Sequence, residues 1–249
     1  MGFFDIFKPK WKHTNVDIRR EAIIQLEDQS ILSEIAETDP DEEIRNEAIK
    51  RINDPSVLAK ILNKDRSTIE KRVAILSDEE EVIFKRHNND LSQVESAARK
   101  HFEKNEYEEV FKCYSLLTKF FPKISIFWRN SGIALYTIDE LVWKQIGPEF
   151  FKQGKKTQLP YKKAEESIAY FDKALEFAEY DHLSLYYKGL AFCQIGQLTN
   201  KDDGTVNPEL KKGLSCFKKA LEIRPNDSSY KKAYDHFYEV TYDLPPPPF

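Results

Sequence analysis

Residues 182–198 read HLSLYYKGLAFCQIGQL, and residues 213–225 read GLSCFKKALEIRP. The earlier stretch SIAYFDKALEF, at residues 167–177, matches the second of these, because a small residue, an aromatic residue and an alanine follow one another at the same spacing. Apolar side chains return every three or four positions, which indicates helices with one buried face. The recurrence predicts that the chain repeats a pair of helices.

The spacing of these residues resembles the tetratricopeptide (TPR) repeat, a unit of about 34 residues with two helices, A and B. We place three such repeats at residues 91–227, the second beginning at Ser125 and the third at His182. The last two are longer than the consensus, and the excess forms inserts between helix A and helix B at about 139–161 and 199–209. We expect loops there, which proteases should cut first at 147–160 and 200–208. The first repeat fills its consensus places without interruption, with Val94, Ala98, Tyr107, Val110, Tyr114, Leu117 and Pro122.

Four of the eight glycines lie at places where this consensus has a small or turn residue: Gly132, Gly189, Gly196 and Gly213. A glycine weakens a helix by about 0.5–1 kcal/mol relative to alanine. We therefore expect two helices to approach each other closely at these glycines.

A different repeat lies upstream, at residues 12–90. Residues 18–39 align with residues 44–65, and a looser third copy begins at Ile69. The aligned pairs include Ile18/Ile44, Arg19/Arg45, Ala22/Ala48, Ile23/Ile49, Leu32/Leu58, Ile35/Ile61 and Asp39/Asp65. Each copy predicts two short helices, which need a neighbouring pair to complete their core.

The string DPDEEIR at residues 39–45 resembles the signature between short HEAT repeats, as found in phycobilisome-lyase-like proteins. Asp39 is expected to cap a helix that starts at Pro40. The acidic run Asp78-Glu79-Glu80-Glu81 predicts another helix start, because carboxylates stabilise the positive end of a helix. In the second TPR insert, Asn207-Pro208-Glu209 is expected to cap helix B.

Together the two repeat families predict an all-α fold, an α-α superhelix (alpha solenoid) of stacked helix pairs. Residues 228–243 are expected to form a capping helix, followed by a proline tail at 244–249. Residues 1–11 are apolar and basic. That segment either covers the open end of the first helix pair or touches a membrane surface.

Composition and charge bound the function. The formal charge of −4, and the excess of acidic over basic residues in the HEAT-like part, disfavour binding to nucleic acid. Three widely spaced cysteines without a CxxC pair indicate a reducing compartment. Without a signal-peptide core or a stretch of about 20 apolar residues, we expect a cytoplasmic protein with no integral membrane segment.

Catalytic and ligand-binding motifs are not found in the sequence. The five histidines show no HExxH or other metal-ligand spacing, and GxSxG, Walker and GxGxxG patterns do not occur. The acidic stretch NKDDGTVNPEL places Thr199 and Lys201 where a calcium loop needs carboxylates. We therefore expect neither an enzyme nor a metal or cofactor site.

Resemblance to TPR proteins implies a binding groove on the concave face of the helices A. Among chaperone-binding TPR proteins a clamp for the terminal carboxylate uses lysine, asparagine and arginine at five places, of which only Asn130 is present here. A chaperone C-terminal tail is therefore not the expected ligand. The groove residues that the resemblance implies are Arg99, Ile126, Arg129, Asn130, Ile133, Tyr136, Leu183, Tyr186, Tyr187 and Leu190.

These groove residues are polar at one end and rich in tyrosine and aliphatic side chains at the other. The expected partner is a protein segment, a peptide or a helix with hydrophobic anchors. Alternatively, the chain's own insert or C-terminal helix fills the face. The function that follows is a scaffold or assembly factor for protein–protein interaction. The alternative function is an accessory or regulatory subunit of an enzyme complex. HEAT-type nucleic-acid binding and a stand-alone enzyme are less favoured than either.

Overall fold

The computed structural model describes residues 9–62, 73–74, 76–154, 160–199 and 205–243. Within these ranges the protein is helical and has no β-strand, so the predicted all-α fold class is confirmed. The N-terminal segment before residue 9, much of the third HEAT-like copy and the proline tail lie outside the described residues. The described α-helices are α1 (Val16–Gln25), α2 (Gln29–Thr38), α3 (Glu42–Arg51), α4 (Pro55–Leu62), α5 (Asp78–Arg86), α6 (Leu91–Glu103), α7 (Tyr107–Phe120), α8 (Ser125–Lys152), α9 (Lys162–Phe177), α10 (His182–Thr199), α11 (Pro208–Ile223) and α12 (Ser228–Tyr242).

Two compact units make up the chain, residues 1–96 and 97–249. The boundary falls inside α6, a few residues after the point where the sequence pattern changes from one repeat family to the other. Among the described residues, no helix combines the length and apolar character that crossing a membrane requires.

The first unit is built from short helices, and side chains cap the starts of α1, α2, α3 and α5. The carboxylate of Asp28 accepts from the backbone N–H groups of Ser30 and Ile31 at the start of α2. Such caps are worth about 1 kcal/mol each, which matters for helices of this length. Leu32 and Leu58, which the repeat alignment pairs, are both buried.

One predicted cap is wrong. Asp41, not Asp39, caps α3, by accepting from the backbone N–H groups of Glu43 and Ile44. The carboxylate of Asp39 instead lies in the core, where it binds the guanidinium of Arg19 at 2.8 and 3.1 Å. Both side chains are more than nine-tenths buried. The same carboxylate accepts from the backbone N–H of Asp41 at 2.9 Å, so Asp39 lies one turn before the helix and positions its cap residue without capping the helix itself.

The second unit stacks its helices in chain order. α7 packs on α8, α9 on α10 and α11 on α12. α8 also contacts α10, and α10 contacts α12, so that the helices in the A positions are direct neighbours. Adjacent helices therefore stack as a helical-repeat fold requires.

Glycines set the closest approach between α10 and α11. A Cβ atom added to Gly189 would lie 2.6 Å from Cε1 of Phe217, and one added to Gly213 would overlap the Cys193 sulfur. Neither position leaves room for a Cβ atom unless the neighbouring side chain moves. The close helix approach predicted at these glycines is confirmed.

The first of the two predicted inserts, at about 139–161, differs from the expected loop. Residues 139–152 continue α8, which reaches Lys152 with Pro148 inside the helix. The buried carboxylate of Asp139 then accepts from the backbone N–H of Ala164 at 2.9 Å, which ties α8 to the start of α9. The insert is therefore partly a helical extension, and the prediction of a loop across 147–152 is wrong.

Two predicted helix starts are confirmed. Asn207 caps α11, since its side chain accepts from the Glu209 N–H at 2.8 Å and donates to the Gly196 carbonyl at 3.2 Å. The acidic run opens α5, where Ser77 and Glu80 form a capping box. A capping box, here Ser77 followed three residues later by Glu80, involves only neighbouring residues and can therefore be recognised in a sequence.

Candidate functional site

A groove of about 430 Å³ opens in the second unit, between α6, α7, α8 and α10. It is lined by Arg99, Phe102, Glu103, Val110, Tyr114, Asn130, Ile133, Leu183 and Tyr187. Five of the ten residues selected from the sequence are in this lining: Arg99, Asn130, Ile133, Leu183 and Tyr187.

The floor of the groove is apolar. Val110 and Tyr114 on α7 are buried, and Ile133, Leu183 and Tyr187 are partly exposed above them. In the sequence, Val110 and Tyr114 were identified as consensus places of the first repeat and were not predicted as groove residues. The signal that could have found them is the repeat register, because α7 packs directly on α8, one of the helices A.

The rim carries polar groups that bind nothing else in the described part of the chain. Arg99 and Glu103 on α6 are exposed and make no ion pair there, and Asn130 on α8 makes no side-chain hydrogen bond. An asparagine amide both donates and accepts, and a guanidinium offers five donors. Beside them, Phe102 is 49% exposed and touches Tyr107 edge-on, with ring centroids 5.5 Å apart.

Arg129, another predicted groove residue, is engaged inside the protein. Its Nη1 lies 3.2 Å from both carboxylate oxygens of Asp181. Asp181 in turn accepts from the Leu183 N–H and the Ser184 hydroxyl at the start of α10. Since both partners of the ion pair are largely buried, Arg129 anchors the start of α10 to α8 and does not reach into the groove.

The tyrosine-rich end of the predicted face is covered by α12. The ring of Tyr186 stacks on Tyr230 with centroids 4.6 Å apart and lies 5.8 Å from Phe217. Leu190 packs against the same buried cluster. The hydroxyl of Tyr230 hydrogen bonds Nδ1 of His182 at 2.6 Å. The chain therefore fills this end of the face with its own C-terminal helix, the alternative given above.

Two further predicted residues are core residues. Ile126 and Tyr136 are buried and do not line the groove. Tyr136 lies against Tyr187, with ring centroids 6.0 Å apart, and therefore supports the groove floor from below. Burial raises the pKa of both tyrosine hydroxyls, so neither ring carries a charge at neutral pH.

The remaining electrostatics of the site follow from burial. Burial raises the pKa of Tyr230 to about 12, and burial together with the Arg224 charge lowers the pKa of His182. The pair is therefore neutral near pH 7. Across the described residues, no three or more histidine, cysteine or acidic side chains are grouped so that they could hold a metal ion.

Comparison with known proteins finds no family model that matches the chain and no curated protein that matches it. The assignment of the repeats to the HEAT and TPR families therefore rests on residue spacing.

Proposed function

We propose that this chain is a non-enzymatic protein-interaction scaffold whose groove binds a segment of a partner protein. The observation that supports this most is an open apolar floor beside polar groups at Arg99, Glu103 and Asn130 that have no pairing partner among the described residues. The HEAT-like and TPR identities of the repeats, and a cytoplasmic location, belong to the same proposal. Cys193 and Cys216, buried thiols whose pKa burial raises, suit a reducing compartment.

Groove size favours a short anchored segment as the ligand. At about 430 Å³ the groove is at the small end of binding pockets, which span roughly 300–1,000 Å³. Because α12 occupies the face beyond Tyr187, a long helix along the whole concave face would collide with it. One or two apolar side chains on the floor, with the adjacent backbone at Asn130, suit the space that is left.

Charge at the rim adds a preference. Arg99 and Glu103 carry opposite charges and are one helical turn apart on α6. A partner segment with an acidic and a basic residue beside its apolar anchor would pair with both. Such rim pairs contribute more to association rate and specificity than to affinity.

A photo-crosslinking amino acid at Phe102, on the groove rim, tests the proposal. Full-length protein carrying it is exposed to native extract, and cross-linked partners are identified by mass spectrometry. The same group at Val240, an exposed residue of α12, is the control position. We expect a protein that is cross-linked from Phe102 and not from Val240.

The partner so identified is then titrated against matched lysine variants on one helix. Ile133→Lys places a charge in the groove floor, while Leu141→Lys alters a 43% exposed residue of α8 outside the groove. Loss of one buried anchor contact weakens binding about tenfold or more. We expect that loss for Ile133→Lys alone, with both variants folded by circular dichroism. Equal affinity of the two variants for the partner would show that the groove does not bind it.

A further inference from the structure

A second cleft lies in the same unit, between the ends of α9 and α11 and above the start of α10. Its volume is about 590 Å³. Leu175, Leu185 and Ile223 form its apolar floor, and Glu179, Tyr180, Lys219 and Glu222 line its rim. None of these residues lines the groove described above.

Tyr180 is the most exposed of the large hydrophobic side chains among the described residues, at 75%. Among the described residues, its ring contacts no other ring and its hydroxyl makes no hydrogen bond. The backbone beneath it is nevertheless held in place: the Ala178 N–H donates to the Ala174 carbonyl at 2.9 Å, and the Asp181 N–H donates to the Ala178 carbonyl at 3.0 Å. An aromatic side chain on a fixed backbone loses little entropy on binding, which makes it a suitable anchor.

Both signs of charge flank the cleft without pairing. Lys219 and Glu222 are three residues apart on α11, yet neither makes an ion pair within the part of the chain that the structure describes, and the same holds for Glu179. A single surface thus carries a projecting ring, an apolar hollow, a lysine and two glutamates. A two-fold contact requires this property, because the same patch must complement itself.

We propose that this surface is a two-fold contact between two copies of the chain. Tyr180 of each copy enters the apolar cleft of the other copy. With the two-fold axis perpendicular to α11, the two α11 helices run antiparallel. Lys219 of one copy then faces Glu222 of the other, twice per dimer. A second copy supplies a complement to these features: a ring for the hollow, and an opposite charge for Lys219 and for Glu222.

Sedimentation equilibrium of the full chain over a concentration series tests the contact. The unmutated chain should show a monomer–dimer equilibrium. Tyr180→Ala should raise the dimer dissociation constant about tenfold or more, as expected for an aromatic anchor. Val240→Ala, on an exposed part of α12, is the matched control and should leave the constant unchanged.

Charge reversal gives the sharper result. Lys219→Glu and Glu222→Lys should each weaken the dimer, because each sets like charges face to face at two symmetric places. The double variant restores opposite charges and should return the dissociation constant close to that of the unmutated chain. These residues are exposed, so circular dichroism should show the fold of all three variants unchanged.

Three results would overturn the proposal: a monomer at every concentration, a dimer indifferent to Tyr180→Ala, or no recovery in the double charge variant. A cross-link from Tyr180 to a different protein, without self-association, would also exclude a second copy as the occupant. The groove variant Ile133→Lys should dimerise normally, so this test and the test of the proposed function fail independently.

Discussion

Tyr186→Ala separates the two ends of the face that the sequence treated as one groove. Tyr186 lies on α10 and is half-buried against α11 and α12. Its ring stacks on Tyr230 and lies close to Phe217 and Tyr187. Removing a buried aromatic ring costs about 3–5 kcal/mol, and partial exposure reduces this to about 2–3 kcal/mol here. For a unit of this size, each 1 kcal/mol lowers the melting temperature by about 2–4 °C, so we expect a fall of about 4–12 °C.

Thermal unfolding followed by circular dichroism measures this directly, in dilute solution. Tyr180→Ala is the matched control, because its side chain is 75% exposed and makes no ring contact or hydrogen bond among the described residues. Its melting temperature should stay within about 1–2 °C of the unmutated value. Affinity for a groove-binding partner should change little in Tyr186→Ala, measured below its melting temperature. Tyr187→Ala should weaken partner binding and also lower the melting temperature, since its ring forms part of the groove floor and packs on Tyr136 and Phe171.

An unchanged melting temperature in Tyr186→Ala, together with loss of the partner, would contradict this assignment. It would mean that α12 does not cover Tyr186 in solution, and that the tyrosine-rich end belongs to an open groove. Loss of both properties in Tyr186→Ala, but not in the control, would mean that the two ends of the face act together.

Three further predictions concern the scaffold. Gly213→Ala should destabilise the second unit by about 1–3 kcal/mol in urea, because the added Cβ overlaps the Cys193 sulfur. Ser215→Ala, on the exposed side of α11, adds no atom and should leave the stability unchanged. Arg19→Met should lower the stability of the first unit by about 3 kcal/mol, since it leaves the buried Asp39 carboxylate without its charge partner; an unaffected unfolding transition would refute this. Burial raises the pKa of Asp139 in the folded state, so ionisation costs stability as the pH rises. Asp139→Asn, which keeps an acceptor for the Ala164 N–H, should therefore gain stability relative to the unmutated chain with increasing pH, and a constant difference across the acid range would count against it.

Local signals in the sequence were sufficient for the helices and several of their ends. Apolar periodicity marks one face of each helix, and a cap needs only two or three adjacent residues, as at Ser77 and Asn207. Glycine at Gly189 and Gly213 indicated close packing because a helix tolerates glycine poorly unless a neighbour requires it. Each of these inferences depends on residues within one or two helical turns.

Contacts between distant residues were not predictable in this way. Arg129 was assigned to the groove by its place in the repeat, yet Asp181, 52 positions later in the chain, holds it in a buried ion pair. Asp39 has the sequence context of a cap, but the guanidinium of Arg19 competes for its carboxylate. The helical extension to Lys152 was missed because a glycine and a proline within it indicated a loop. The contact between Asp139 and the Ala164 N–H at the start of α9 joins residues 25 positions apart and could not be read from the sequence.

The ion pair between Arg129 and Asp181 lies between the binding groove and the proposed dimer cleft. Asp181 directly follows Tyr180 at the rim of the cleft, and it caps α10, whose first turns carry Leu183 and Tyr187 into the groove. Arg129 holds Asp181 from α8, which also supplies Asn130 and Ile133 to the groove. Because one buried carboxylate fixes both the anchor of the cleft and the helix that lines the groove, the position of Tyr180 and the width of the groove depend on the same bond.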